Sequence, residues 1–464
     1  MATSSVKINA STTSAPPRVT TDQTRQDFQY STTVDGLLKN VYIPALNNTV
    51  FHATPLMEMF GDFGGTIDFA SNKIIKAFKY QGAGGFGGIA EGGTFIETKD
   101  QKGFQGSERL RYLNAFVSLT GPAAKTVRSG EGAYVDAISS AMDDTLKYAR
   151  MNMERIIGGS GNGLVGTFQL ATANLVAGTG KSATFTAGTG GYSPCQWLQN
   201  GMKTQIYSSV SSPAIVADGS AGYNEVIISD VDYKAGTATL TSSVAYTLTG
   251  STTYYLVLKN AYGDIEIDGS QTADSCLEPN GLGNLVSDSG TIWGLTRTTY
   301  PHSLKSLVYT SASAALDEEL LMGFIQDLVY YTQGEPNVIV VDPRARLKYF
   351  STGGVTTAVQ QDRRFNTQVL DGTFGFKGLG ITIDKWSLMI QGLASLTPGT
   401  MYIINANDFK FAKATNGFEW QEMGGQIFRP YETKDAMFAT ALNYMNFVCE
   451  NPRQQLKVTG LAYA

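Results

Sequence analysis

Between Tyr134 and Ile157, apolar residues return at Val135, Ile138, Met142, Leu146, Met153 and Ile156, steps of three, four or seven that keep to one helical face. Asp136, Ser139, Asp143, Lys147 and Arg150 fill the remaining surface. Helical from Gly130 to Ile157, the segment would measure roughly 40 Å at about 1.5 Å per residue, long enough for a structural spine. Glycines then crowd the chain from Gly158 to Gly166. They remove helix propensity and supply left-handed backbone, so the pattern predicts a stop at Gly158, Gly159 and Gly161.

Upstream, Leu113, Ala115, Val117 and Leu119 alternate with Asn114, Phe116 and Ser118, which predicts a strand leading into that helix. Two further extended runs, Thr66 to Tyr80 and Thr94 to Arg111, flank the glycine tip Gly82 to Gly88 and are thin in apolar residues. They read as a projecting hairpin with little core of its own. Such a projection needs a partner surface, and Lys73, Lys76, Phe78, Tyr80, Phe86, Arg109 and Arg111 are its expected intersubunit contacts; the glycines read equally as a mobile loop. Lys73, Lys76 and Lys79 among Ile74, Phe78 and Tyr80 also suggest a nucleic-acid surface, diluted by Glu91, Glu97 and Asp100.

From Gln169 to Asn284 short β runs recur: Gly201 to Tyr207, Asn224 to Val231, Thr237 to Thr241 and Thr252 to Leu258, broken by turns such as Asp218-Gly219 and Ala235-Gly236. A small antiparallel barrel inserted into the main body accounts for them. Beyond it, Ala315 to Tyr331 is helical in pattern, Asn337 to Val341 is a buried strand, and Asp342-Pro343 is an N-cap followed by an N1 proline. The order predicts an α+β domain. Residues 1 to 33 hold thirteen Ser or Thr and little apolar periodicity, so they form a tail or an arm ordered by neighbouring subunits.

Composition narrows the function. Over 464 residues, 42% are hydrophobic and only 16% charged, which fits a folded protein with an extensive neutral surface. A net charge of −5 gives no general attraction to nucleic acid. There is no apolar run of membrane-spanning length and no secretory signal pattern, so manufacture in a cytosol is expected. Cys195, Cys276 and Cys449 form neither a disulfide framework nor a zinc pattern, and only His52 and His302 could serve as imidazole bases.

Gly82 to Gly87 and Gly161 to Gly166 both match G-x-G-x-x-G, but neither has the strand before and helix after that dinucleotide binding needs. Gly180-Lys181-Ser182 matches the end of a phosphate loop without its first glycine, and reads as a surface turn. Asp143-Asp144, Asp230 with Asp232, and Asp317-Glu318-Glu319 read as solvated faces or turns before metal sites. Asn47-Asn48-Thr49 is a glycosylation sequon with no visible secretory route. No catalytic residue, cofactor site or metal site is expected.

In order, the polar arm, glycine-tipped hairpin, strand, spine helix with its glycine cluster, and α+β domain resemble the major capsid proteins of tailed bacteriophages, the Hong Kong-97 type fold. Local marks are Arg155 to Gly161, Pro279-Asn280-Gly281-Leu282, Gly294 to Pro301 and Asn337 to Pro343. The resemblance implies an N-terminal arm over 1–60, an extended loop over 61–111 and a peripheral domain with spine helix over 112–168. A β-rich insertion domain would occupy 169–284, re-entry and the axial domain 285–404, further peripheral strands 405–440, and a C-terminal return to the axial domain 441–464. It further implies a shell subunit, not an enzyme, that self-assembles into hexamers and pentamers around double-stranded DNA. Its other partners would be a separate scaffolding protein, a portal and decoration proteins; the DNA would be contacted only weakly and no membrane is involved. The expected location is the virion capsid, with the host cytoplasm before assembly. The same fold would also serve an encapsulin-type compartment. A third reading, a β-rich carbohydrate-binding or hydrolytic protein, rests on Trp197, Tyr223, Tyr254, Tyr255 and Trp293.

Overall fold

The apolar stripes and alternations above build three packed bodies in a computed structural model. It describes residues 55–120, 133–351 and 379–462, apart from short internal stretches, of which 186–193, 217–224 and 263–275 are the longest. Most of the predicted arm, with His52 and the Asn47 sequon, lies outside the described residues, as does Tyr223.

A short helix, α1 (Pro55–Met59), precedes the antiparallel hairpin of β1 (Lys73–Gln81) and β2 (Lys102–Arg109), paired from Lys73↔Arg109 to Lys79↔Gly103. Past buried Leu110, the chain continues as β3 (Arg111–Thr120) and then as α2 (Ala133–Gly158), whose 26 residues measure roughly 39 Å at about 1.5 Å each.

Six longer strands follow among the described residues, β4 (Leu164–Gln169), β5 (Lys181–Phe185), β6 (Lys203–Ser209), β7 (Val226–Asp232), β8 (Thr237–Ser242) and β9 (Tyr254–Leu258), with the two-residue strand Ala214–Ile215 paired to β6. Their order is β7-β8-β5-β4-β9-β6, and β6 also pairs with β7, so the ring closes and every pairing in it is antiparallel. Closure leaves the six strands without a free edge. Inward residues such as Phe168, Phe185, Ile206, Ile228, Leu240 and Leu256 make its own core. The barrel takes its first strand from Leu164, five residues before the expected start at 169. Lys181 and Ser182 lie in β5, not in a turn, because Leu240 and Thr239 pair with them.

Beyond the barrel the longer described elements are β10 (Leu307–Thr310), α3 (Glu318–Thr332), β11 (Val338–Val341), α4 (Pro343–Ser351), β12 (Leu379–Ile383), β13 (Trp386–Gly392), β14 (Met401–Ile404), β15 (Phe409–Lys413), β16 (Ala436–Cys449) and β17 (Leu456–Thr459). Asp317 caps α3 by accepting from the Leu320 amide, and Asp342 accepts from the Arg344 amide at the start of α4. One mixed sheet has the order β10-β17-β14-β11-β13-β12. Its centre is buried on both faces: Ile339, Val341, Met401 and Ile403 pack under α3 and α4, while Val340, Tyr402 and Ile404 face the core shared with the end of α2. This explains the unbroken apolar run at Val338–Val341.

A second sheet is organised around β16, which pairs with β3 over ten residues and with β15 at its other end. Because β16 runs unbroken from Ala436 to Cys449, it crosses residue 440, where the expected division between peripheral strands and C-terminal return falls. The chain rejoins the mixed sheet only at Leu456.

Candidate functional site

The last two turns of α2, Met151 to Gly158, are buried on every side, although three of their residues are polar. Each of those three is satisfied within the chain. Asn152 Nδ2 donates to the Tyr148 carbonyl at 3.0 Å. The Glu154 carboxylate accepts from the Leu56 and Met57 amides at 3.1 and 3.4 Å and from Ser395 Oγ at 3.1 Å, so it joins α1, α2 and the loop after β13. Burial pushes the Glu154 carboxyl above its ordinary range against the pull of these hydrogen bonds. Arg155 forms an ion pair through Nη2 with Glu278 Oε1, and its Nη1 donates to the Leu164 carbonyl at 2.8 Å. Glu278 Oε2 accepts from the Gly163 amide at 2.8 Å, and the two side chains are only 5% and 4% exposed.

The glycines expected to stop the helix lie against backbone. A Cβ on Gly158 would collide with the Ser395 carbonyl. The Gly159 amide still donates to Arg155 O at 3.0 Å, while its carbonyl accepts from the Gly283 amide at 2.8 Å. Gly161, at φ +64°, turns left-handed where a Cβ would collide with the Pro279 carbonyl. Past this point Arg297, fully buried, donates to the Leu304, Asn284 and Leu285 carbonyls at 2.8, 2.6 and 3.2 Å and closes the 284–304 segment on itself. Burial lowers its pKa to about 10, which leaves the guanidinium charged at neutral pH.

Three of the seven residues expected to meet a neighbour have partners within their own chain. Lys76 Nζ pairs with Glu450 Oε1 at 2.6 Å. Phe78 stacks on Phe104 at 5.2 Å and meets Trp293 edge-on at 5.6 Å; Tyr80 lies 5.4 Å from His302 and 5.9 Å from Tyr300. The cause is the 291–302 segment, distant in sequence, whose aromatic rings cover the base of the hairpin. Trp293 is its pivot: its amide donates to Glu108 Oε1 at 2.6 Å, its indole to the Cys449 carbonyl at 2.8 Å, and its carbonyl accepts from Ser107. Lys73 lies opposite Arg109, itself exposed, and Arg111 is half-buried at the start of β3. Phe86, by contrast, is fully exposed at the hairpin tip, and Phe95 of the same loop is 88% exposed.

The outward face of β3 and β16 is aromatic too. Tyr112 meets Tyr444 edge-on at 5.1 Å and Phe116 stacks on Phe438 at 5.6 Å, with Tyr112 and Phe116 about half-exposed. Between β3, α2 and the barrel's return strand lies a cleft of about 960 Å³ whose lining includes Asn114, Asn152, Gln199, Lys259 and Glu278.

The thiols are closed off from solvent. All three cysteines are buried, and burial pushes the Cys276 thiol up to about 12. Trp293 and Tyr254, two supports of the carbohydrate reading, belong to cores, and Trp197 packs against the barrel interior. Asp232 accepts from the Lys234 and Ala235 amides at 2.9 Å and so builds the turn between β7 and β8. Glu154 and the Arg155–Glu278 pair escape detection by periodicity; the one signal was a glutamate and an arginine in the last turn before a glycine stop.

No protein-family model and no curated protein sequence matches the chain. Among solved structures it is similar to the cyanophage A-1(L) capsid protein at 10% identity and a TM-score of 0.49, covering 90% of this chain and 96% of that one. The capsid of the Myoviridae phage XM1 is similar at 8% identity and a TM-score of 0.40, covering 91% and 98%. The holo-SrpI encapsulin complex from Synechococcus elongatus is similar at 7% identity and a TM-score of 0.38, covering 92% and 96%. With TM-scores under 0.5 these likenesses carry no inference about role. Over about nine-tenths of its length, the chain is similar to solved phage capsid proteins.

Proposed function

We propose that this chain is a shell subunit that self-assembles, the major capsid protein of a tailed phage enclosing double-stranded DNA. The observation that carries the reading is the hairpin: its base is fastened to the body by Trp293 and Tyr300, while its tip holds out Phe86 and Phe95 almost entirely in solvent. Large aromatic side chains held out on a projection are costly in water and mark a surface that another molecule covers. The half-exposed rings of Tyr112 and Phe116 extend that surface onto the body. In this reading the β16 sheet with α2 is the peripheral domain, the mixed sheet is the axial domain, and the barrel is an insertion between them. Arm and hairpin overlap neighbours, so many weak contacts sum to a strong lattice. Scaffolding, portal and decoration proteins would be separate chains.

Purified chain, alone and with proteins encoded beside its gene, is expected to form closed particles by electron microscopy. A strictly monomeric species in all of these mixtures would overturn the reading. Particles recovered from the natural source distinguish two kinds of shell: nuclease-protected double-stranded DNA marks a virion, and an enclosed enzyme marks an encapsulin-type compartment.

A further inference from the structure

The chain crosses between its body and the barrel twice, outward through Gly159 to Gly163 and back through Cys276 to Leu282. Two separate crossings, the outward one rich in glycine, would ordinarily act as a hinge. Here they are drawn together. Arg155, the last charged residue of α2, reaches the outward crossing at the Leu164 carbonyl and the return crossing at Glu278, while Glu278 reaches back to the outward crossing at the Gly163 amide. Three segments are therefore closed into one ring by two side chains, both shut away from water.

Around that ring the backbone adds further ties. The Gly283 amide donates to Gly159 O at 2.8 Å, the Leu258 amide to Gly163 O at 3.0 Å, and Tyr262 Oη to Asn162 O at 2.9 Å. On the return side the Asn280 amide donates to Asn446 Oδ1 at 3.1 Å, whose Nδ2 in turn donates to Arg109 O at 2.8 Å, so the crossing is continuous with the base of the hairpin. Elsewhere among the described residues the barrel also meets the body, through Gln196 Nε2 to Ala394 O at 2.6 Å, Gln199 Nε2 to Met151 Sδ at 3.2 Å and the Tyr148 ring of α2 packed against the barrel core.

We propose that the buried Arg155–Glu278 pair is a lock that fixes the attitude of the barrel to the end of α2, so that the barrel moves with the helix as one rigid piece. The lock is a property of the single chain and does not depend on what that chain assembles into. Physically, an ion pair excluded from water holds its geometry because separating the charges leaves each one unsolvated in the interior. The hydrogen bonds to Leu164 and Gly163 tie that geometry to the two crossings, and the separate cores of barrel and body let each stay folded when the lock is opened.

Hydrogen exchange read by mass spectrometry on the full chain tests this with Arg155→Met and Arg155→Lys. Methionine removes the charge and both donors; lysine keeps the charge but cannot hold Glu278 and the Leu164 carbonyl together through a planar fork. In R155M, amides of 158–166 and 276–283 are expected to exchange at least tenfold faster, while β6, β8, β11 and β14 stay within about twofold of the parent. R155K should give the same pattern at smaller amplitude. Unchanged exchange at the two crossings would overturn the lock, since other contacts would then hold the barrel. Equal acceleration across the barrel and the mixed sheet would also overturn it, by showing that the pair serves the core as a whole. Should R155M fail to fold, R155K is judged by the same two outcomes.

Discussion

Glu154 shows how a single buried carboxyl couples packing to pH. Its pKa is raised above the ordinary 4.5, chiefly by desolvation, so the folded chain holds the proton more tightly than the unfolded chain does. The stability this contributes is complete below the unfolded pKa and is lost as pH rises through the folded one. Glu154→Gln, which keeps an acceptor for the Leu56 amide without the charge, is therefore expected to gain on the parent as pH is raised from 4 to 8. Urea titrations across that range measure the difference, and a gap that is constant with pH would sink the argument. Gly161→Ala is a second test at this scale. Left-handed backbone costs a residue with a Cβ about 1–2 kcal/mol, and the Pro279 carbonyl stands where that Cβ would go, so the loss should exceed about 2 kcal/mol by denaturant unfolding.

Among elements, the β1–β2 hairpin is the instructive one. Two thin polar strands would be marginal alone, yet Phe78, Phe104, Tyr80, Tyr300, His302 and Trp293 make a continuous aromatic cluster at their base. Trp293 also links Glu108 of β2 to the end of β16 through its amide and indole. Trp293→Ala should cost about 3–5 kcal/mol as a large buried ring is lost. It should also release the hairpin, so that trypsin cuts at Lys102 and Arg109 well before it reaches the mixed sheet. Simultaneous cleavage everywhere would mean that the ring supports the whole core and has no special hold on the hairpin.

On the scale of the molecule, the chain combines fastened bases with exposed tips. If Phe86 and Phe95 meet a neighbouring subunit, Phe86→Ser with Phe95→Ser should leave monomer stability within about 0.5 kcal/mol, because exposed side chains contribute little to folding, and should abolish particles. Particles of normal yield from that double variant would remove the tip from the assembly surface. Lys76→Ala, by contrast, breaks a partly exposed ion pair inside one chain and should change monomer stability by no more than about 1 kcal/mol.

By itself the sequence determined those elements whose physics is local. The apolar steps from Val135 to Ile156 are a helical period, and α2 runs Ala133–Gly158; the unbroken Val338–Val341 run is a strand covered on both faces; Asp342 caps α4 because its side chain sits beside a free amide. Tertiary structure alone decided what each element meets. A helical period separates an apolar face from a polar one, but at Met151 to Gly158 the crossings of the barrel, α1 and the Ser395 loop surround the helix, so Glu154 and Arg155 are buried where the pattern places solvent. Lys76, Phe78 and Tyr80 carry no mark of the Glu450, Trp293 and His302 that engage them, because those partners lie more than two hundred residues away. Periodicity reports the environment a residue prefers within its own element; which surface supplies that environment is set by how the distant segments pack.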